Sequence, residues 1–217
     1  MPPINIMIKP ASSACNMACS YCFYRDVAAH REQAFEGMIS LEDMEQVVRA
    51  GMEYAEHICS FAFQGGEPTL AGLDFYRRVV ELQKKYARPG VAVHNAIQIN
   101  GYLIDEEWAA FFAENHFLVG LSLDGPAELH NLNRLDAAGE GTFNRVLRAA
   151  HIMESIMWIS ISCAWLPDGT RGRWKKSIGF TANRDFAGCS SSNAWSRLIR
   201  REARKNTTFQ RKGTATS

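Results

Sequence analysis

Three cysteines lie within eight residues near the start of the chain. Cys15, Cys19 and Cys22 have the spacing C-x3-C-x2-C, in a loop after a short apolar run at residues 4–9. Three thiolates this close can hold three irons of a [4Fe–4S] cube and leave the fourth iron open to another ligand. A zinc site would need a fourth ligand at matching spacing, and His30 has no second half-motif beside it. The spacing favours an iron–sulfur cluster, with a zinc-binding module as the alternative.

A second motif, Gly65-Gly66-Glu67-Pro68, closes the predicted strand at residues 58–64. Glycines allow backbone groups to approach a ligand closely, and a carboxylate can accept hydrogen bonds from an ammonium group. A Gly-Gly pair on its own is more often a turn. Its position at the carboxyl end of a strand, behind a cysteine loop, favours a binding role.

Together these motifs resemble the radical S-adenosylmethionine (radical SAM) enzymes. In that family C-x3-C-x-aromatic-C follows the first strand of an α/β barrel, and the aromatic residue here is Tyr21. The resemblance implies two cofactors, a [4Fe–4S] cluster on Cys15, Cys19 and Cys22, and SAM on the open iron. Electron transfer from the cluster then cleaves SAM to a 5′-deoxyadenosyl radical, which abstracts a hydrogen atom from substrate.

The resemblance also implies a set of SAM contacts. Six residues match family positions that bind SAM: Tyr21, Gly65, Gly66, Glu67, Ser122 and Arg134. The two glycines and Glu67 would hold the methionine end, and Tyr21 would lie on the adenine side. Ser122 would hydrogen-bond the ribose, and Arg134 would reach the SAM carboxylate.

Residues 2–154 look most like the anaerobic sulfatase-maturating enzymes, a peptide-modifying branch of the family. The carrying segments are residues 8–10, 63–70 and 120–126, extended by His130-Asn131. Such oxidoreductases convert an active-site Cys or Ser of a sulfatase to Cα-formylglycine. The resemblance therefore implies a sulfatase polypeptide and a reducing electron donor as partners. Another peptide-modifying maturase and a non-catalytic iron–sulfur fragment remain alternatives.

Four strand-then-helix units are predicted to position these motifs. Near-continuous apolar strands are expected at residues 4–9, 58–64, 91–100 and 117–124. Helices with 3.6-residue periodicity are expected from residue 41, over 73–86, after Asp105 and over 142–151. This order predicts an α/β fold with a parallel sheet or barrel. By resemblance it is about four βα units of an incomplete radical SAM partial (β/α)6 TIM-like barrel, with the active face at the strand carboxyl ends.

Composition divides the chain at Glu154. The 217 residues are 47% hydrophobic with a net charge of +1. Residues 1–154 hold 12 Lys/Arg against 20 Asp/Glu, whereas residues 155–217 hold 12 against 3. Neither a membrane span nor a signal-peptide pattern is recognisable, so a cytoplasmic protein without membrane association is expected. The basic segment has no amphipathic basic helix and no nucleic-acid-binding module, so nucleic-acid binding is not expected.

The regular pattern of apolar residues also stops after Glu154. Residues 157–166 could form a strand, but beyond them no period of 2 or 3.6 persists for more than one or two turns. Loss of one base after the codon for Glu154 would explain the change, so residues 155–217 are expected to be an out-of-frame, poorly ordered tail. The family continues with further barrel units and a SPASM domain, which binds auxiliary clusters and supplies an aspartate base. Since these have no counterpart in the 217 residues, no catalytic residue is assigned, and a truncated chain unable to complete turnover is expected.

Overall fold

The computed structural model describes residues 3–124, 127–156 and 159–162. These residues lie within one compact unit, Met1–Ser162. Gly125 and Pro126, which belong to a segment quoted for the resemblance, lie outside the described residues. The same holds for residues 163–217, which make up most of the predicted out-of-frame tail.

One parallel sheet organises the unit. Its strands are adjacent in chain order: β1 (Ile4–Ile8), β2 (Ile58–Phe63), β3 (Ala92–Ile99), β4 (Leu118–Ser122) and β5 (Ile159–Ser162). Every neighbouring pair is parallel. In register, Ile8 pairs with Phe63, Phe63 with Ile97, and Ile97 with Val119, and all four side chains are buried. Parallel neighbours need crossover connections, which the helices supply. The predicted α/β fold class is confirmed.

Six helices connect the strands, with a 3-10 turn at Pro68–Ala71. They are α1 (Phe23–Ala29), α2 (Leu41–Tyr54), α3 (Leu73–Lys85), α4 (Glu106–Glu114), α5 (Ala127–Asn133) and α6 (Phe143–Ile156). The predicted caps form: Ser40 Oγ accepts from Asp43 N at 3.0 Å, and Asp105 Oδ1 accepts from Trp108 N at 3.0 Å. The sequence did not predict α1 and α5, because seven residues with few buried side chains give no apolar period.

The hydrophobic core lies between one face of the sheet and helices α2, α3, α4 and α6. Aromatic rings form its centre: Phe63, Tyr76, Trp108, Phe112 and Phe117, with neighbouring ring centroids 5.2–6.4 Å apart. The other face carries small and polar residues, including Ser60, Ala62, Gln98, Gly120 and Ser122. Because side chains alternate along a strand, one sheet supplies both an apolar core and a polar surface.

Regular structure continues past Glu154, and the possible strand at residues 157–166 contains β5. Glu154 lies inside α6, and β5 then pairs with β4, Val119 opposite Ile159 and Leu121 opposite Ile161. None of the helices in the described ranges has both the length and the apolar character needed to span a bilayer.

Candidate functional site

A loop of residues 10–22, the cysteine loop, connects β1 to α1 and carries the three clustered cysteines. Two of its amides donate to carbonyls at and just after the end of α5: Ala18 N to Leu135 O at 2.8 Å and Ser20 N to Asn133 O at 2.9 Å. These bonds hold the loop against a segment more than 110 residues away in sequence. Backbone pairing therefore fixes the loop beside the carboxyl ends of the strands.

The two glycines after β2 allow a close approach to the cysteine loop. Gly66 has φ +54°, and a Cβ there would overlap the carbonyl oxygen of Ala14. Glu67 N donates to that same oxygen at 2.7 Å. Gly65 has φ +89°, and a Cβ there would lie 2.6 Å from Lys9 Cγ. Only glycine accommodates both the backbone conformation and the contact distance.

Glu67 is a buried carboxylate with three protein donors. Its Oε1 accepts from Thr69 N at 3.1 Å and Thr69 Oγ1 at 2.6 Å, and its Oε2 accepts from Asn100 N at 2.7 Å. The residue is 1% exposed, and this burial raises the pKa of the carboxyl to about 7 against the opposing effect of the donors. Because a carboxylate has about four acceptor positions, Oε2 keeps capacity for one further donor.

The side chain of Asn100 extends this network to the first cysteine. Asn100 Nδ2 donates to Asn16 Oδ1 at 2.8 Å and lies 3.7 Å from Cys15 Sγ. Met17 N also donates to Cys15 Sγ, at 3.4 Å. Cys15 is exposed as a residue, but protein atoms crowd its thiol, and this desolvation raises the thiol pKa to about 11. We call the connected group of Glu67, Thr69, Asn100, Asn16 and Cys15 the Glu67 network.

A second group follows β4 and holds the second cysteine. Asp124 is fully buried and pairs with Arg134, Nε to Oδ2 at 2.8 Å and Nη2 to Oδ1 at 3.2 Å. The Tyr21 hydroxyl also donates to Asp124 Oδ2, and the Arg134 guanidinium lies 5.3 Å from the Tyr21 ring centroid. Arg134 Nη1 lies 4.0 Å from Cys19 Sγ. We call Asp124, Arg134, Tyr21 and Cys19 the Asp124 network.

Burial perturbs two groups of the Asp124 network. Desolvation raises the pKa of the Cys19 thiol, and the nearby Arg134 charge opposes part of that rise. Desolvation likewise raises the pKa of Tyr21, so its phenol stays protonated and continues to donate to Asp124.

His130 supports the Asp124 network from behind and is fully buried. Its Nδ1 accepts from Asp124 N at 3.4 Å, and its Nε2 lies 3.0 Å from Thr142 Oγ1. Since Thr142 Oγ1 donates its one hydrogen to Arg134 O, we assign the proton of His130 to Nε2. Burial, together with the Arg134 charge, lowers the pKa of His130 to about 4, which keeps the imidazole neutral.

All nine residues predicted for the site lie in or beside the cysteine loop and the strand carboxyl ends. Cys15 and Glu67 belong to the Glu67 network, and Cys19, Tyr21 and Arg134 belong to the Asp124 network. Gly66 lies against Ala14 in the cysteine loop, and Gly65 lies against Lys9. Ser122, the last residue of β4, accepts from Gln98 Nε2 at 3.0 Å instead of contacting another predicted residue. Cys22 is the N-cap of α1, and its side chain makes no capping bond.

The sequence did not assign six residues of these groups: Asn16, Thr69, Asn100, Asp124, His130 and Thr142. Asn100 and Asp124 directly follow predicted strands, and polar residues at strand carboxyl ends are the signal that could have identified them. His130 and Thr142 give no comparable signal, because their partners depend on how α5 packs.

The side chains fit an iron–sulfur cluster with a ligand beside it. The three thiols are free, and Asn16 Nδ2 is a buried donor with no partner among the described residues. Within residues 3–124, 127–156 and 159–162, no three His, Cys, Asp or Glu side chains converge to hold a single metal ion. A [4Fe–4S] cluster requires no such convergence, because each thiolate binds a different iron.

Comparison with known proteins identifies relatives of the whole arrangement. A sequence model of the Radical SAM superfamily matches residues 10–169. A cysteine-type anaerobic sulfatase-maturating enzyme of Clostridium perfringens is 51% identical over 154 residues, covering 71% of this chain and 42% of that protein. A serine-type anaerobic sulfatase-maturating enzyme of Bacteroides thetaiotaomicron is 37% identical over 159 residues, covering 70% and 37%. The chain thus spans less than half the length of these relatives.

Solved structures agree with the sequence matches. The structure of native anSMEcpe with bound AdoMet superposes with a TM-score of 0.76 at 44% identity, covering 82% of this chain and 50% of that one. A second structure, with bound AdoMet and Cp18Cys peptide, gives a TM-score of 0.74 at the same identity, covering 82% and 49%. The sheet described above is therefore the fold of a partial TIM-like barrel.

Proposed function

Because this chain belongs to the radical SAM superfamily, we propose that it carries the N-terminal portion of the core domain of an anaerobic sulfatase-maturating enzyme. The reaction is oxidation of a sulfatase's active-site cysteine at Cβ to Cα-formylglycine. The observation that carries this proposal is the 51% identity to the cysteine-type enzyme, against 37% for the serine-type one. That difference favours cysteine over serine as the residue oxidised.

Enzymes of this superfamily use a [4Fe–4S] cluster and SAM. We assign the cluster to Cys15, Cys19 and Cys22. Binding requires deprotonated thiols, and the cluster irons replace the protons that desolvation otherwise retains. The positive ends of Asn100 Nδ2 and Arg134 Nη1 lie near two of these sulfurs and offset the negative charge of the thiolates.

The methionine end of SAM is assigned to three groups. Gly65 and Gly66 allow this turn to lie directly against Lys9 and Ala14, which supports a fixed stretch of backbone beside the cysteine loop for the ligand to contact. Glu67 Oε2 has acceptor capacity for the SAM ammonium group after its bond from Asn100. Arg134 uses Nε and Nη2 on Asp124, which leaves Nη1 for the SAM carboxylate.

The nucleoside end is assigned to Tyr21 and Ser122. The Tyr21 ring is held by its hydroxyl bond to Asp124 and by the Arg134 guanidinium, which supports a fixed surface on the adenine side. Ser122 Oγ accepts from Gln98, so its own hydrogen can be donated to a ribose oxygen.

When bound, the cluster and SAM supply the one-electron chemistry that removes a hydrogen atom from the substrate Cβ. The chain's own residues fix the charges around that site. The Asp124–Arg134 pair is buried, with 1% and 7% of the two side chains exposed, so water does not compete with its two hydrogen bonds. The neutral His130 behind it holds the backbone of Asp124 in place.

A sulfatase polypeptide is the proposed substrate and a cellular reductant the proposed electron donor. A similar structure with AdoMet and the Cp18Cys peptide supports a peptide substrate. The small and polar side chains on the face of the sheet opposite the aromatic core support that face as the place for such a chain. The thiols of Cys15, Cys19, Cys22 and Cys59 are free, which supports a reducing compartment such as the cytoplasm.

We also propose that residues 155–217 arise from a shifted reading frame. The change from 12 Lys/Arg against 20 Asp/Glu to 12 against 3 supports this, as do curated matches over about 154 residues. On this proposal the residues assigned to the cluster and to SAM all precede the shift. Sequencing the DNA after codon 154 tests it, since an intact run encoding the present tail would contradict the shift.

The decisive experiment for the family assignment is anaerobic reconstitution of the 217-residue chain with iron and sulfide. We expect a brown protein with four irons, and 5′-deoxyadenosine released from SAM after reduction. Stoichiometric zinc without brown colour would support the zinc module instead. With the reading frame restored, oxidation of a sulfatase-derived cysteine peptide is expected. Oxidation of an unrelated precursor peptide instead would identify a different maturase.

A further inference from the structure

Asn100 occupies the point where the Glu67 network meets the cysteine loop. It directly follows Ile99, the last residue of β3, and is 7% exposed. Its backbone N–H donates to Glu67 Oε2 at 2.7 Å. The end of β3 and the buried Glu67 carboxylate therefore fix the backbone of Asn100 independently of its side chain.

The orientation of the Asn100 amide is also determined. Tyr102 N donates to Asn100 Oδ1 at 2.9 Å, so the carbonyl side of the amide faces Tyr102. The Nδ2 side must then face the cysteine loop, where it reaches Asn16 Oδ1 at 2.8 Å and Cys15 Sγ at 3.7 Å. An amide nitrogen has two hydrogens, and here two acceptors take them.

We propose that Asn100 is a positioning residue that holds Cys15 Sγ and raises the reduction potential of a cluster bound there through its N–H···S hydrogen bond. This inference rests on the proposed function, because it requires Cys15 as a cluster ligand. A reduced cluster carries one more negative charge than the oxidised form. A donor to a ligand sulfur therefore stabilises the reduced form more, and hydrogen bonds to the sulfurs are among the determinants of the potential.

A purely structural role for Asn100 predicts a different result, and the same strand offers the control. Asn95 is 8% exposed and exchanges two amide hydrogen bonds with Gln83, each 2.8 Å long. It lies five residues before Asn100, about 16 Å along β3 at roughly 3.3 Å per residue. Asn95→Asp therefore removes a buried amide donor, as Asn100→Asp does, but at a position away from the cysteine loop.

The test is an EPR-monitored redox titration of the reconstituted full chain and its variants Asn100→Asp, Asn100→Ala and Asn95→Asp. Both Asn100 variants should have a lower midpoint potential. We expect about a tenfold change in the ratio of reduced to oxidised cluster at a fixed potential for Asn100→Asp, or about 59 mV for one electron. Asn100→Ala should shift less, because it removes the donor without adding a charge. Asn95→Asp should titrate as the unmodified chain does.

The outcomes separate this inference from the proposed function. An unchanged potential in both loaded Asn100 variants would overturn the inference. If both variants lose the cluster while Asn95→Asp stays fully loaded, positioning of Cys15 is supported, whereas equal loss from Asn95→Asp overturns it. A Cys15→Ala chain that retains all of its cluster iron and its potential would instead refute the ligand assignment itself.

Discussion

The helix-covered face of the sheet and the carboxyl edge that carries the cysteine loop are stabilised in different ways. On the helix-covered face, aromatic and aliphatic side chains pack in a group in which each ring touches several others. At the edge, single polar contacts join residues far apart in sequence. Asn100 and Asn16 are 84 positions apart, and Arg134 and Cys19 are 115 apart.

This difference has a consequence for substitutions. Each side chain of a packed apolar group has many neighbours, so removing one of its contacts lowers the free energy of unfolding without leaving a polar partner unsatisfied. A polar group with one partner leaves that partner unsatisfied when it is removed. Changes in the core should therefore alter the free energy of unfolding, whereas changes at the edge should alter cofactor binding as well.

The largest expected effect comes from comparing a cysteine at the carboxyl edge with a cysteine in the core. Cys19→Ala should abolish cluster binding, because the assigned site then has two thiolates for three irons. Cys59→Ala is the matched control, since Cys59 is fully buried in β2 on the helix-covered face. We expect it to lose about 1 kcal/mol of stability and to keep all of its cluster iron. The iron and sulfide content and the visible spectrum of each variant measure how much cluster it holds. Equal iron loss in both variants would contradict the predicted difference between the edge and the core.

The same division explains how much the sequence could predict. Strands β1 to β4 and helices α2, α3, α4 and α6 were expected close to their observed bounds, because burial against one face imposes an apolar period. The helix from residue 41 and its Ser40 cap are examples. The cysteine and glycine motifs could be located because their residue types are unusual at that spacing. The roles of the residues assigned to the site remain predictions.

The polar networks could not be predicted in the same way. The Asp124 carboxylate accepts hydrogen bonds from Arg134 and Tyr21, and its backbone N–H donates to His130. These contacts depend on the packing of α5, a seven-residue helix that the sequence does not reveal. The local pattern of apolar residues predicts burial, but it does not predict which polar residues contact each other when they lie about a hundred positions apart in the sequence.

The second effect compares a buried ion pair at the edge with one on the surface. Asp124→Asn leaves the buried Arg134 charge without its carboxylate, and breaking such a pair costs about 3–5 kcal/mol. The Tyr21 hydroxyl loses a charged acceptor at the same time. Asp74→Asn is the control, because the Asp74 side chain is 91% exposed and its Arg77 contact should be worth less than about 1 kcal/mol. Urea unfolding of both variants gives the two values, and similar losses would contradict the predicted contrast.

A smaller effect separates steric overlap from backbone strain. Gly66→Ala should cost about 2–3 kcal/mol, because it combines a left-handed backbone with overlap at Ala14 O. Gly90→Ala should cost only about 1 kcal/mol, since Gly90 has φ +82° and an added Cβ would meet nothing within 4 Å. We also expect Gly66→Ala, but not Gly90→Ala, to bind SAM more weakly than the unmodified chain does. Calorimetric titration with SAM would measure it, and unchanged affinity would place the ligand away from these glycines.

The smallest effect concerns the histidine behind the Asp124 network. Its folded-state pKa of about 4 lies below the ordinary value of 6.5, so the folded chain binds its proton less readily than the unfolded chain does. Stability from His130 is therefore complete above pH 6.5 and is lost as the pH falls towards 4. Between pH 7.5 and 5.5 this should remove about 1 kcal/mol.

The pH profile of the unmodified chain alone would not isolate that contribution. Glu67 titrates in the same range with the opposite sign, because burial raises its pKa to about 7 and protonation then favours the folded state. His130→Gln removes only the histidine, and an amide can still accept from Asp124 N and donate to Thr142 Oγ1. Relative to the unmodified chain, this variant should gain about 1 kcal/mol on going from pH 7.5 to 5.5. Parallel profiles for the two chains would mean that His130 has the same pKa in the folded and the unfolded chain, and that the edge is less desolvated around His130 than its burial implies.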